Sequence, residues 1–175
     1  MRYLVGIDTG TSATKSLLCD FKGRILATAS HEYPVSTPKP GWSEQHPELW
    51  WKAAVATVRA LLKSAKVAGA DVAGVGLSGQ MHGAVLLDKS DKVLRPAILW
   101  NDTRSAAECD EMTRIIGAER LINLVSNPAL VSFTATRLLW VRNHECDVYS
   151  RIASVLLPKD YVRFRLSGAK ATEVS

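Results

Sequence analysis

Three short segments at the start of the chain restrict its architecture more than anything that follows. Tyr3 to Asp8 is rich in β-branched and aromatic residues, Thr14 to Asp20 reads as a second strand, and Ile25 to Tyr33 as a third. Their links are short: Thr9-Gly10-Thr11-Ser12, then the turn Phe21-Lys22-Gly23-Arg24 with its glycine to relieve φ strain. A parallel pair needs a crossover of a dozen or more residues, so links this short impose antiparallel pairing. The chain therefore opens as a β-meander.

Helices and strands alternate after it. Pro34 to Pro47 reads as a loop holding four of the seven prolines and the run Gly41-Trp42-Ser43-Glu44-Gln45-His46-Pro47. Pro47 suits the first position of a helix. Trp51, Val55, Val58 and Leu62 mark that helix's apolar stripe, joined by Trp50, Ala54 and Leu61. Val72 to Leu77 reads as a buried strand. Ala84 to Leu87 and Lys92 to Leu94 form a hairpin around Asp88-Lys89-Ser90-Asp91, and Pro96 to Trp100 is a short strand. Asp102 can cap a helix that Gly117 ends. Ser132 to Asn143 is a further helix, Val155 to Leu157 a strand, and Pro158 starts a last helix stopped by Gly168. A meander followed by alternating elements predicts an α/β fold: a mixed sheet covered by helices. The ending Ala171-Thr172-Glu173-Val174-Ser175 reads as a cut, not a natural terminus.

Two segments carry candidate chemistry. In Asp8-Thr9-Gly10-Thr11-Ser12-Ala13-Thr14-Lys15 a carboxylate ends an apolar strand, small residues follow, and a cation closes the run. Backbone amides of these small residues, hydroxyls at Thr9, Thr11 and Ser12, and the charge of Lys15 are the parts that hold phosphate, while Asp8 can hold magnesium through water. No GxxxxGK[ST] is present, and an ordinary polar β-turn fits these residues equally well. In Gly79-Gln80-Met81-His82-Gly83 polar side chains follow a strand, where ligands bind in open α/β sheets. His82 can exchange a hydrogen bond with a sugar hydroxyl, and the plain alternative is a capped turn with a surface histidine. Trp100 lies in Trp100-Asn101-Asp102-Thr103-Arg104, a mainly structural segment that can bring the indole near a ligand. Arg104 in a first helical turn opposes the helix dipole and calls for an acidic partner. The tryptophans between Gly41 and Trp51 read as core or loop anchors.

Composition removes several classes. No apolar run approaches the ~20 residues needed to span a bilayer, and the N-terminus lacks the apolar core of a signal peptide. Cys19, Cys109 and Cys146 are an odd, scattered set without zinc spacing, which favours a reduced, cytoplasmic setting. His144-Glu145-Cys146 reads as a helix end. The net charge of +5 is spread along the chain with no Lys/Arg run, so it suits any anion and gives nucleic acid no special support.

Taken in order, these segments resemble the FGGY carbohydrate kinases. The likeness runs through Gly6-Ile7-Asp8-Thr9-Gly10-Thr11-Ser12, Gly41 to Pro47 with Trp50-Trp51, Gly79 to Gly83, and Pro96-Ala97-Ile98-Leu99-Trp100-Asn101-Asp102. It closes with Phe133-Thr134, Leu138-Leu139-Trp140 and Leu156-Leu157-Pro158-Lys159-Asp160-Tyr161. The resemblance implies an actin-like, ribonuclease-H-like domain and phosphoryl transfer from ATP, with Mg2+, to a sugar hydroxyl. It implies Asp8 as the catalytic, metal-associated acid, Gly10, Thr11, Ser12 and Lys15 on the phosphate side, and Gln80, Met81, His82 and Trp100 on the substrate side. The Met81-His82 pair favours a ketose such as D-xylulose over glycerol, whose kinases carry Arg-Glu there.

Two departures accompany the resemblance. Arg137 stands where the family usually has Lys. The general-base Asp and the second, nucleotide-holding domain would lie past Ser175, so residues 1–175 are expected to be most of an N-terminal kinase domain that does not turn over by itself. A kinase of L-ribulose, L-fuculose or glycerol, and a non-catalytic nucleotide- or sugar-binding module, remain alternatives. The expected partners are the sugar and the C-terminal kinase domain, with a homodimer left open and neither nucleic acid nor membrane among them.

Overall fold

The computed structural model describes residues 2–172. The expectation about the chain's end thus lies partly outside the described residues, at Glu173, Val174 and Ser175. The elements run β1 (Tyr3–Thr9), β2 (Ala13–Asp20), β3 (Ile25–Glu32), β4 (Glu44–Gln45), α1 (Pro47–Ala65), β5 (Val72–Gly79), β6 (Val85–Leu87) and β7 (Ala97–Ile98). Then come α2 (Ala106–Ile116), α3 (Ala118–Val125), α4 (Thr134–His144), α5 (Cys146–Tyr149), β8 (Ser154–Leu156) and α6 (Pro158–Ser167). They divide into two compact units.

The first unit comprises Met1–Val35, His46–Gln80 and Pro158–Ser175. Its sheet has the order β3-β2-β1-β5. The meander pairs antiparallel as the short links require, and β5 joins β1 in parallel after the α1 crossover. Alternation sorts the side chains: Val5, Ile7 and Thr9 on β1 and Thr14, Ser16 and Leu18 on β2 are buried on one face. Helices α1 and α6 pack on that face. Pro47 does start α1, and the ring of His46 caps it by accepting from Glu48 N at 3.2 Å. The buried line of α1 is Trp50, Ala54, Thr57 and Leu61, with Trp51, Val55, Val58 and Leu62 half-buried beside it. Thr57 belongs in that line because its hydroxyl meets Ser16 Oγ at 2.8 Å, which satisfies two polar groups inside the core. Burying Trp50 and Leu61 completely contributes about 1.5–3 kcal/mol each.

One expectation fails here. β5 is not a buried strand: Val75 is 50% exposed, and Gly76 and Ser78 are exposed. Its unbroken apolar and small residues suit a strand covered on both faces. Among the described residues it is an edge strand, and helices cover one face of the sheet.

The second unit comprises Ser36–Gln45 and Met81–Leu157. β6 pairs antiparallel with β8, and β4 with β7. The segment between Pro34 and Pro47 is therefore not all loop. The turn at Asp88 forms as read: its carboxylate accepts from Ser90 N and Lys92 N, and Leu94 N returns to Leu86 O. Ala84, Leu86, Ile98, Trp140 and Val141 form the core, with Trp42 packed edge-on to Trp140.

Asp102 does not cap a helix. α2 begins at Ala106, and Asp102 is buried, accepting from Ser43 N at 2.6 Å and from Arg104. Arg104 consequently lies outside the helix, and it has two acidic partners, Asp102 and Glu44, each at 2.7 Å. Local sequence could not distinguish the two roles, because the deciding donor, Ser43, lies far upstream. Gly117, at φ 90°, does end α2, but α3 follows at once where no helix was expected.

Candidate active site

The β1–β2 hairpin is built by a hydrogen-bonded turn. Gly10 N donates to Ala13 O at 3.0 Å, and a Cβ on Gly10 would sit 3.0 Å from the same oxygen. The amide of Gly10 is thus engaged inside the turn. Gly10 O in turn accepts from Tyr33 Oη at 2.7 Å and from Gln80 Nε2 at 3.2 Å. Gln80 N bonds Thr9 O at 2.8 Å, and Thr11 Oγ1 approaches Gln80 Oε1 at 3.4 Å. Gln80, expected on the substrate side, is buried and holds the hairpin.

Tyr33 is the residue the sequence reading missed. It follows β3 directly and shows no motif, yet it bonds Gly10 O, Thr14 Oγ1 at 3.2 Å and, through its backbone N, Ser12 O. Burial pushes its hydroxyl up to about 12; the Thr14 bond opposes the shift and the charge of Asp8 adds to it. It stays a neutral donor at any physiological pH.

The hairpin presents its charges on the face away from α1. Asp8 pairs in register with Lys15 on β2 and with Ser78 on β5, and Lys15 with Ser30 on β3. Residue pairs in register project to the same side, so Ser78, Asp8, Lys15 and Ser30 form one polar row across four strands. The row borders a depression of about 760 Å³ that includes Gly6 and Gly76. Asp8, Ser12 and Lys15 are exposed there or at the hairpin tip. A carboxylate beside an ammonium, with glycines that leave the sheet surface low, can accept an anion and its counter-cation together. Among the described residues no group of three or more His, Cys, Asp or Glu side chains could hold a metal. Magnesium fits such a place through one carboxylate, ligand oxygens and water.

Met81, His82 and Trp100 belong to the second unit. Met81 is 54% and Trp100 40% exposed. His82 is half-buried, and its ring lies 4.6 Å from that of Phe133. Burial lowers the pKa of His82 below its ordinary value and the charge of Arg137 lowers it further, so the imidazole is neutral at pH 7 and can both donate and accept. Among the described residues no helix is long and apolar enough to cross a membrane.

A mixed sheet opened by an antiparallel meander, with an acid-bearing hairpin at its end, defines a class, and comparison with known proteins gives the class its name. Residues 3–175 match the model of the FGGY family of carbohydrate kinases, N-terminal domain, and the chain belongs to that family. It is 45% identical over 175 residues to the xylulose kinase of Bacillus subtilis, covering 100% of this chain and 35% of that protein. It is 47% identical over 171 residues to the xylulose kinase of Klebsiella pneumoniae, covering 98% and 35%. The crystal structure of xylulose kinase from Rhodospirillum rubrum superposes with a TM-score of 0.93 at 30% identity, over 98% of this chain and 36% of that one. The expected α/β, actin-like fold is therefore the observed one. The chain spans about a third of the length of the relatives it matches.

Proposed function

We propose that the protein to which this chain belongs is an ATP-dependent kinase of D-xylulose, forming D-xylulose 5-phosphate, and that residues 1–175 supply most of its N-terminal domain. The observation that carries the reading is that the match to xylulose kinases spans the whole chain, over the stretches that hold the Asp8 hairpin and the Met81-His82 turn. In this reading Thr11, Ser12 and Lys15 bind the transferring phosphate, with Gly10 shaping the turn beneath them. Asp8 orients a magnesium ion, which when bound offsets the phosphate charge. Met81, His82 and Trp100 hold the sugar, the neutral imidazole exchanging hydrogen bonds with a hydroxyl. Gln80 supports the hairpin through Gly10 O and Thr9 O. The general base and the rest of the nucleotide site belong to the longer protein. Phosphoryl transfer depends on positioning and charge stabilisation, which is what these residues offer. The test is an assay of the full-length protein for ATP-dependent phosphorylation of D-xylulose, L-ribulose, L-fuculose and glycerol. Preference for D-xylulose is expected, and a strong preference for glycerol or L-ribulose overturns the reading.

A further inference from the structure

His82 holds a backbone conformation that residues with a Cβ seldom adopt, with φ at 60°. The chain turns within three residues around it: Gly83 N donates to Met81 O at 2.8 Å. A turn of this kind with positive φ at its apex is rare and strained, and such strain persists only where the surroundings enforce it. The enforcing groups come from one stretch, the opening of α4. Thr134 Oγ1 donates to His82 O at 3.1 Å, and Arg137 Nη1 donates to the same oxygen at 3.2 Å. Arg137 Nη1 also bonds Ser132 O, and the Phe133 ring lies against the imidazole at 4.6 Å.

Arg137 is an expensive way to fill this space. It is 0% exposed, and its Nε and Nη2 are buried without hydrogen-bond partners. Replacing a buried charge with an apolar side chain of similar volume is often neutral or stabilising, so packing alone does not account for an arginine here. Its bonds go to the carbonyls of Ser132 and His82, which tie the start of α4 to the strained turn.

We infer that Phe133, Thr134 and Arg137 act as a positioning clamp that sets the orientation of the His82 imidazole toward the sugar. The inference rests on the proposed role of His82 as a sugar contact. None of the three residues needs to touch substrate; each acts through His82.

The test uses the full-length protein with isotope-labelled histidine. The His82 ring resonances are followed by NMR, and steady-state kinetics are measured with D-xylulose and ATP. Thr134→Val and Arg137→Met are each expected to shift the His82 resonances and to raise the KM for D-xylulose about tenfold. The KM for ATP should stay within about twofold, since the clamp bonds nothing on the phosphate hairpin. Arg137→Lys, which keeps a buried donor cation, should recover most of the loss. Thr134→Val removes only a hydroxyl, so the question stays answerable if Arg137→Met does not fold. Folded variants with an unchanged KM for D-xylulose overturn the clamp, whether or not the resonances move. The parent reading is checked separately: if D-xylulose leaves the wild-type His82 resonances unmoved, the sugar contact itself fails.

Discussion

Asp8 and Lys15 face each other in register across the β1–β2 pair, both exposed on the sheet face that α1 and α6 leave uncovered. Strand alternation places them there, because their neighbours Ile7, Thr9, Thr14 and Ser16 turn inward. Seven positions apart in sequence, they become cross-strand neighbours because the hairpin folds between them. Asp8→Asn in the full-length protein should therefore lower kcat by about a hundredfold or more, as loss of transition-state charge stabilisation does. Stability should change by less than about 0.5 kcal/mol, since the side chain is exposed. Steady-state kinetics and a urea titration check both halves, and an unchanged kcat contradicts the role given to Asp8.

Tyr33→Phe removes the hydroxyl that bonds Gly10 O and Thr14 Oγ1. The expected cost is about 1 kcal/mol by chemical denaturation. The pH dependence has a definite sign. An acid whose folded pKa is raised from 10.0 to about 12 contributes stability that is complete below pH 10 and is lost as pH rises through 12. The variant should lose less stability across that alkaline window than the wild type.

Gly79→Ala tests how closely β5 approaches β1 beneath the hairpin. A Cβ there would lie 2.9 Å from Thr9 O and 3.3 Å from both Thr9 Cβ and Lys159 Cβ. Backbone must move to admit it, at about 1–3 kcal/mol. A lowered melting temperature is expected, and an unchanged one contradicts the tight packing.

Glu44 Oε1 meets both Arg95 and Arg104 at 2.7 Å, and the Arg104 side chain is almost fully buried. Glu44→Ala takes one carboxylate from both cations and leaves Arg104 with Asp102 and Arg95 with Glu145. The expected cost is therefore that of lost charge-assisted hydrogen bonds, about 1.5–3 kcal/mol. Thermal denaturation should show a large loss; a melt within a degree of wild type contradicts the network's importance.

The imidazole of His82 should titrate below 6.5 by NMR, for burial first and for the charge of Arg137 second. Arg137→Met removes only the second cause, so the pKa should rise yet stay below 6.5. The unfolded chain binds this proton more readily, so stability falls as pH drops below about 6.5 toward the folded pKa. Burial also pulls Arg137 down to about 10, against the pull of Asp102 and with that of Arg104, and it remains charged at neutral pH.

The sequence by itself determined the meander, the start of α1 at Pro47, the glycine stops at Gly117 and Gly168, and the Asp8 hairpin. These are local properties: link length, a fixed proline φ, and glycine's access to positive φ, all written within a few consecutive residues. Tertiary structure alone decided what depends on distant partners. Asp102 serves Ser43 and Arg104 instead of capping α2, because the backbone N–H it satisfies arrives from a remote segment. Tyr33 and Gln80 became supports of the Asp8 hairpin because folding carries both to Gly10 O. The strained turn at His82 exists because α4 holds it there, and no residue near His82 in sequence announces that help.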